Sequence, residues 1–387
     1  MYKFFLVSIL LLINCTINSV EDGKNKIINE FKTRIQKSKN SKSGVLLVHS
    51  DSLKLDIKSS EGFVDDKTKT IPEQPFHIAS VGKLLTSVMI FQLIDEDKLT
   101  LNSKIDSILD KKTLEGLFTI EGRDYSSEVT IKNLLEHTSG IDDYFDSIDK
   151  KNKSVMDELT EKPDKFWTPN DLLDFTRNNQ KTIAKPGIKF HYSDSGYILL
   201  GLVIEKISKK KLEDFALEKI FKPLQMNHTY YHLRSKPILD SDLKLSPIIL
   251  GKVDVTNYTS VSCDWAGGGI ISTTEDLLKF FTAIQKGKLL NESIYKSMMD
   301  RFKFMDGIYY GKGIMSVNFT EMSSFMPQTP ILHGHSGVLG TLLFYCPELD
   351  SYIIANFGSS LDVDSSFEMM FRITKYLSEI KKIQEKK

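Results

Sequence analysis

The sequence predicts an α+β fold: an antiparallel sheet built from both termini and flanked by helices, with a mainly helical lobe inserted between about residues 99 and 288. Three observations carry this. Strand-like apolar stretches lie near residues 44–57 and return from 307 to 357, while the segment between them is helical in pattern and rich in loops. From Leu84 to Ile94 only Thr86, Ser87 and Gln92 are polar, so that helix is apolar on nearly every side and should thread the middle of a domain.

Residues 1–15 read as a targeting segment. Met1-Tyr2-Lys3 is a short basic start, Phe4 to Ile13 is apolar but too short to span a bilayer, and Cys15 follows. This pattern resembles a bacterial lipoprotein signal, which makes Cys15 the expected lipidation site and the protein an exported, membrane-anchored one. Asn14 departs from the small residue usual before that cysteine, and a plain cleaved signal is the alternative. Residues 16–25 read as a linker, 26–383 as one domain and 384–387 as a polar tail.

Ile27, Ile28, Phe31 and Ile35 recur at helical spacing. Gly44–His49 and Leu53–Ile57 form a hairpin around Ser50-Asp51-Ser52. Within the lobe, Thr130 to Gly140 reads as a short helix stopped by glycine, Tyr197 to Ile207 as an apolar helix, and Ser272-Thr273-Thr274-Glu275 as a capping box opening Asp276–Gln285. Strands follow over Gly307–Phe319, Thr341–Cys346 and Ser351–Phe357, and Phe367–Ile383 closes the chain as a helix. There is no internal repeat.

Lysine plus arginine equals aspartate plus glutamate, and no basic stretch is interleaved with aromatics, so no nucleic-acid partner is expected. Cys263 and Cys346 are either a pair or two buried free thiols. His333-Gly334-His335 lacks a third ligand, so no metal is expected.

Chemistry concentrates where the apolar helix begins. Ser80 and Lys83 stand three residues apart, which on a helix places them on one face about 5–6 Å apart. A lysine among apolar side chains has its ammonium disfavoured and its pKa lowered from about 10.4, so it can accept a proton from a serine nucleophile. The same spacing occurs at Ser147/Lys150, Ser208/Lys211, Ser241/Lys244, Ser293/Lys296 and Ser378/Lys381, but in charged or polar surroundings. Two further stretches stand out. One is Phe190-His191-Tyr192-Ser193-Asp194-Ser195-Gly196-Tyr197, a tyrosine at a turn before a buried helix; the other is His333 to Thr341, a glycine-rich lead-in to a strand.

Together with Leu134-Leu135-Glu136-His137-Thr138-Ser139-Gly140 and Ala266-Gly267-Gly268-Gly269-Ile270-Ile271-Ser272-Thr273, this set resembles the serine β-lactamase and penicillin-recognising D,D-peptidase superfamily, in its class C-like branch. The resemblance implies that Ser80 is the nucleophile, Lys83 its base or proton shuttle, and Tyr192 the relay to the leaving group. The backbone amides of Ser80 and Val338 form the implied oxyanion hole. Asp194, His335, Ser336 and Gly337 are the implied substrate-binding residues, and no cofactor is implied. Asp194 departs from the usual asparagine and, when ionised, cannot donate to a substrate carbonyl. An alternative frame gives Ser193 the role of Tyr192; the Gly-Tyr-x-Leu-Leu-Gly run behind it favours the tyrosine frame. His137 reads as a helix cap.

The function expected from this resemblance is that of an exported acyl-enzyme hydrolase, first of all a D-alanyl-D-alanine carboxypeptidase, with His335 in its charged form gripping a substrate carboxylate. A carboxylesterase or a β-lactamase of the same fold comes next. A non-catalytic envelope receptor is the rival from another class. The expected partner is a small peptide, ester or β-lactam substrate.

Overall fold

The computed structural model describes residues 16–145, 153–299, 302–323 and 326–386. The targeting segment with Cys15 lies outside them. No helix of the described residues is long and apolar enough to cross a membrane.

Eight strands form one antiparallel sheet in the order Phe302–Met305, Ile308–Tyr310, Met315–Val317, Leu332–Gly337, Thr341–Cys346, Ser351–Asn356, Ser43–Ser50 and Leu55–Gly62. The two ends of the chain meet where Val45 pairs with Asn356 and His49 with Tyr352. Side chains alternate across the Ser43–Ser50 strand. Leu46 and Val48 join a core formed with the Val20–Lys37 and Val363–Glu385 helices, whereas Val45 and Leu47 face the larger core that holds the Ser80 helix.

The helix Gly82–Asp95 buries eleven of its fourteen residues, which leaves it no solvent face. Two of its polar side chains are satisfied by carbonyls: Thr86 donates to Ala266 and Ser87 to Lys312, both at 2.7 Å. The helix Asp194–Ser208 packs against it, with the short turn Trp265–Gly268 contacting both. A second, three-stranded sheet of Phe76–His77, Ile270–Ser272 and Tyr230–Tyr231 leads the chain into the Ser80 turn.

Several boundaries differ from the sequence reading. The linker over 16–25 is helical from Val20, because Ser19 caps the Asp22 amide and Glu21 and Asp22 favour a helix N-terminus. Thr273, not Ser272, caps the Thr274–Gln285 helix through the Asp276 amide. That helix belongs to the sheet rather than to the lobe, packing on the strands Ser43–Ser50 and Ser351–Asn356, with the Phe281 ring against Tyr345 and Tyr352. The stretch 307–319 is two strands, broken where Gly313 adopts φ +78°. His333–His335 is itself part of a central strand.

Candidate active site

The site is built around a strained turn. After Phe76–His77 the chain passes through Ala79 at φ +49°, a left-handed conformation for a residue with a Cβ, and then through a 3₁₀ turn, Ala79–Val81, into the buried helix. His77 accepts the Ala79 amide at Nδ1, 3.2 Å away. Two glycines hold the turn from either side. A Cβ on Gly268 would stand 2.1 Å from the Ala79 carbonyl oxygen, and one on Gly337 would stand 2.8 Å from the Ile78 oxygen. Only glycine permits either approach.

Ser80 is thus in a 3₁₀ turn one step ahead of the α-helix, and its partner one turn on still reaches it. Lys83 is fully buried and donates to Ser80 Oγ at 3.1 Å and to the Gly267 carbonyl at 3.1 Å. It also ion-pairs with Asp194, and its Nζ lies 5.0 Å from the centre of the Tyr192 ring. Burial and then the Asp194 charge push the Tyr192 phenol well above the ordinary tyrosine range, against the pull of the neighbouring Ser80 hydroxyl, so it stays protonated. These contacts bring Ser80, Lys83, Tyr192 and Asp194 together at the mouth of one buried helix. Ser193 is occupied elsewhere, accepting from the Gly196 amide as helix cap and donating to the Asp142 carbonyl at 2.9 Å.

Asp194 points at Lys83, not outward. It opens the Asp194–Ser208 helix, where its own amide donates to Asp143 Oδ1 at 3.0 Å. Asp143 is pushed up to about 8 by burial and then by the Asp194 charge. Asp264 is pushed up to about 7, chiefly by burial, with Lys83 acting in the opposite sense. Asp143 therefore holds its proton up to about pH 8 and Asp264 up to about pH 7.

His335 corrects the sequence reading. Its ring is fully enclosed, Nδ1 donating to the Ser336 carbonyl at 2.7 Å and Nε2 accepting from the Tyr310 hydroxyl at 3.0 Å. Burial and the Lys83 charge push its pKa down to about 3. It is neutral over the working range, and both ring nitrogens are spent inside the protein, so it offers no cation to a substrate carboxylate. Ser336, one residue along the strand, directs its hydroxyl to Met315 Sδ at 3.5 Å. Gly337 abuts the Ser80 turn and Val338 follows it directly.

The sequence reading passed over Asp143, Asp264, Tyr310 and the Gly267 carbonyl. Gly267 lies within the glycine run already singled out, whereas the other three carry no local pattern. Cys263 and Cys346 are free and buried in separate cores. Among the described residues no group of three or more His, Cys, Asp and Glu could hold a metal ion.

Comparison with known proteins bears on the family and the fold. The sequence profile of the Beta-lactamase family matches residues 57–361. Protein flp of Staphylococcus aureus (strain MW2) is 30% identical over 262 residues, covering 66% of this chain and 48% of that protein. The putative penicillin-binding protein PbpX of Bacillus subtilis (strain 168) is 26% identical over 283 residues, covering 68% of this chain and 62% of its own. The chain thus spans about half the length of the flp protein. In fold it resembles the D-amino acid amidase of Ochrobactrum anthropi SV3, with a TM-score of 0.75 at 20% identity, covering 92% of this chain and 99% of the amidase. With the family profile covering most of the chain, this chain belongs to the Beta-lactamase family, within the superfamily of serine β-lactamases and penicillin-binding proteins.

Proposed function

We propose that this family member is an acyl-enzyme serine hydrolase whose preferred substrates are small esters or amides that carry no free carboxylate beside the scissile bond. The observation that carries the chemistry is the meeting of Ser80 Oγ, Lys83 Nζ and the Tyr192 phenol, with Asp194 in contact with the lysine. Ser80 Oγ attacks the carbonyl carbon. Its proton passes to Lys83 as Lys83 hands one to Asp194, and Tyr192 protonates the leaving group and is recharged from Lys83. Water then reverses the sequence to release the acid. Fixed amides at Ser80 and Val338 are the donors assigned to the oxyanion.

The neutral, enclosed His335 supports the substrate preference. It removes the main reason to expect a carboxypeptidase, since no charge at this position answers a C-terminal carboxylate. The likeness to a D-amino acid amidase makes D-aminoacyl amides and esters the first substrates to try. The likeness to a putative penicillin-binding protein keeps D-alanyl-D-alanine peptides as the second reading.

The experiment is labelling of the wild type and Ser80→Ala with a fluorescent fluorophosphonate and a fluorescent penicillin. It is followed by hydrolysis assays on a D-amino acid amide, a short alkyl ester, a cephalosporin and a D-Ala-D-Ala peptide. Labelling lost in Ser80→Ala, with ester or amide turnover exceeding peptide turnover, is the expected result. Equal labelling of both proteins places the nucleophile elsewhere, and faster peptide turnover restores the carboxypeptidase.

A further inference from the structure

His137 follows the short helix Ile131–Leu135 and has the sequence context of a helix cap, but its side chain caps nothing in that helix. It is enclosed, with its backbone at φ +55°, again a left-handed conformation for a residue with a Cβ. Its carbonyl accepts the His191 amide at 2.8 Å. Its Nδ1 accepts the Ser193 amide at 3.0 Å. Between these two contacts its ring lies against the Tyr192 ring, centres 4.2 Å apart and planes 31° from parallel. One residue thus holds three in succession, with Tyr192 in the middle.

The choice of residue type is informative. With Nδ1 accepting, the ring proton of neutral histidine is on Nε2, and Nε2 has no hydrogen-bond partner among the described residues. A phenylalanine would fill this aromatic pocket, between Tyr197 at 5.1 Å and Tyr310 at 4.6 Å, without burying an unpaired N–H. What histidine adds is an acceptor for the amide next to Tyr192. Burial and the Lys83 charge hold its pKa well below the ordinary range, so that acceptor is present throughout the working pH.

We infer that His137 is a positioning residue for the reaction: it seats the Tyr192 ring and pins the backbone on both sides of it, so that the phenol keeps its place beside Ser80. The inference rests on the reading of Tyr192 as the group that protonates the leaving group. A poor leaving group needs that proton and a good one does not, so a misplaced phenol slows alkyl esters more than p-nitrophenyl esters.

The test uses two variants of the full chain. His137→Phe keeps the ring and loses the acceptor. His137→Asn places an acceptor oxygen where Nδ1 stood, tolerates the left-handed backbone and loses the ring. For His137→Phe, kcat on an alkyl ester should fall roughly tenfold or more with KM within about threefold, and the loss should exceed that on the p-nitrophenyl ester by about fivefold or more. His137→Asn should show the same leaving-group dependence with a smaller loss. In a Tyr192→Phe background, adding His137→Phe should cost less than about threefold further, because the two residues act as one unit.

Equal losses on both esters, or losses that multiply in the double variant, overturn the inference. If thermal melting shows His137→Phe unfolded, the Asn variant alone decides by the same ratio. Failure of the underlying reading is separately visible: Ser80 then takes no label in the wild type, or Tyr192→Phe itself shows no leaving-group dependence. If Ser80 labels and Tyr192→Phe shows the dependence while the His137 variants do not, only the role of His137 falls.

Discussion

Lys83 and Asp194 meet inside the protein, the lysine fully enclosed and the aspartate nearly so, and each is the charge that makes the other's burial tolerable. Removing one partner strands the other in a region of low dielectric. Lys83→Met should therefore destabilise the protein by about 3–5 kcal/mol, and Lys83→Met/Asp194→Asn should recover most of that loss in urea unfolding. Both single variants should also slow acylation, Lys83→Met by about a thousandfold and Asp194→Asn by about a hundredfold, within the range of coupled proton transfers. A double variant no more stable than Lys83→Met would show that the pair is not the source of the cost.

Acid stability follows from buried histidines. Burial pushes His77 and His335 down to about 3 and His232 to about 4, from an ordinary 6.5. Between 6.5 and those values the unfolded chain takes up protons that the folded chain refuses. Their contribution is complete above about pH 6.5 and is lost as pH falls toward 3. The Asp264 and Asp143 carboxyls act in the opposite sense, holding protons that the unfolded chain releases above 3.8, so their contribution fades as pH rises to about 7 and about 8. Each is read through its own variant. In equilibrium unfolding between pH 4 and 6.5, His232→Phe should weaken the rise of stability with pH, whereas Asp264→Asn should steepen it. Unchanged slopes would mean that these groups titrate alike folded and unfolded.

A substrate carboxylate should go unnoticed by His335. KM for a substrate with a free carboxylate, measured from pH 5 to 8, should vary no more than KM for a neutral ester, because the ring stays neutral across that range. A KM that weakens through pH 6.5 for the carboxylate alone would return the charge to this position.

Gly268→Ala should abolish labelling of Ser80. The new Cβ would stand 2.1 Å from the Ala79 oxygen and 2.4 Å from its carbonyl carbon, backbone atoms that cannot swing aside. A loss of labelling rate of at least about a hundredfold is expected, with a melting temperature several degrees lower. Gly122→Ala is the control: φ is +81° there but nothing lies within 4 Å of the new Cβ, so it should cost about 1 kcal/mol and leave labelling intact.

Much of the fold was legible because its signals are local. The all-round apolar segment after Ser80 is the buried helix, and the alternating stretches at both ends are the strands that pair across Val45 and Asn356. Ser80 and Lys83 were legible as a pair because three residues is a helical spacing, and that reach survives the change from 3₁₀ to α geometry. The charge states were not legible. Asp194 read as facing the substrate because its partner lies 111 positions away, and His335 read as a titrating group because its unperturbed pKa says nothing about enclosure behind Tyr310. Asp143 and Asp264 became significant only when folding buried them beside Lys83.

The pairing of the Ser43–Ser50 strand with Ser351–Asn356 sets the order in which this protein can come into being. Ser80, the proposed nucleophile, is synthesised in the first quarter of the chain, yet Gly337, which braces its turn, and the strand Ser351–Asn356 are among the last segments made. Contacts of such sequence separation form late and slowly. A ribosome-bound chain carries Ser80 without a site around it, and any shortening from the C-terminal end that reaches Ser351–Asn356 should remove the proposed activity far from the serine assigned to it.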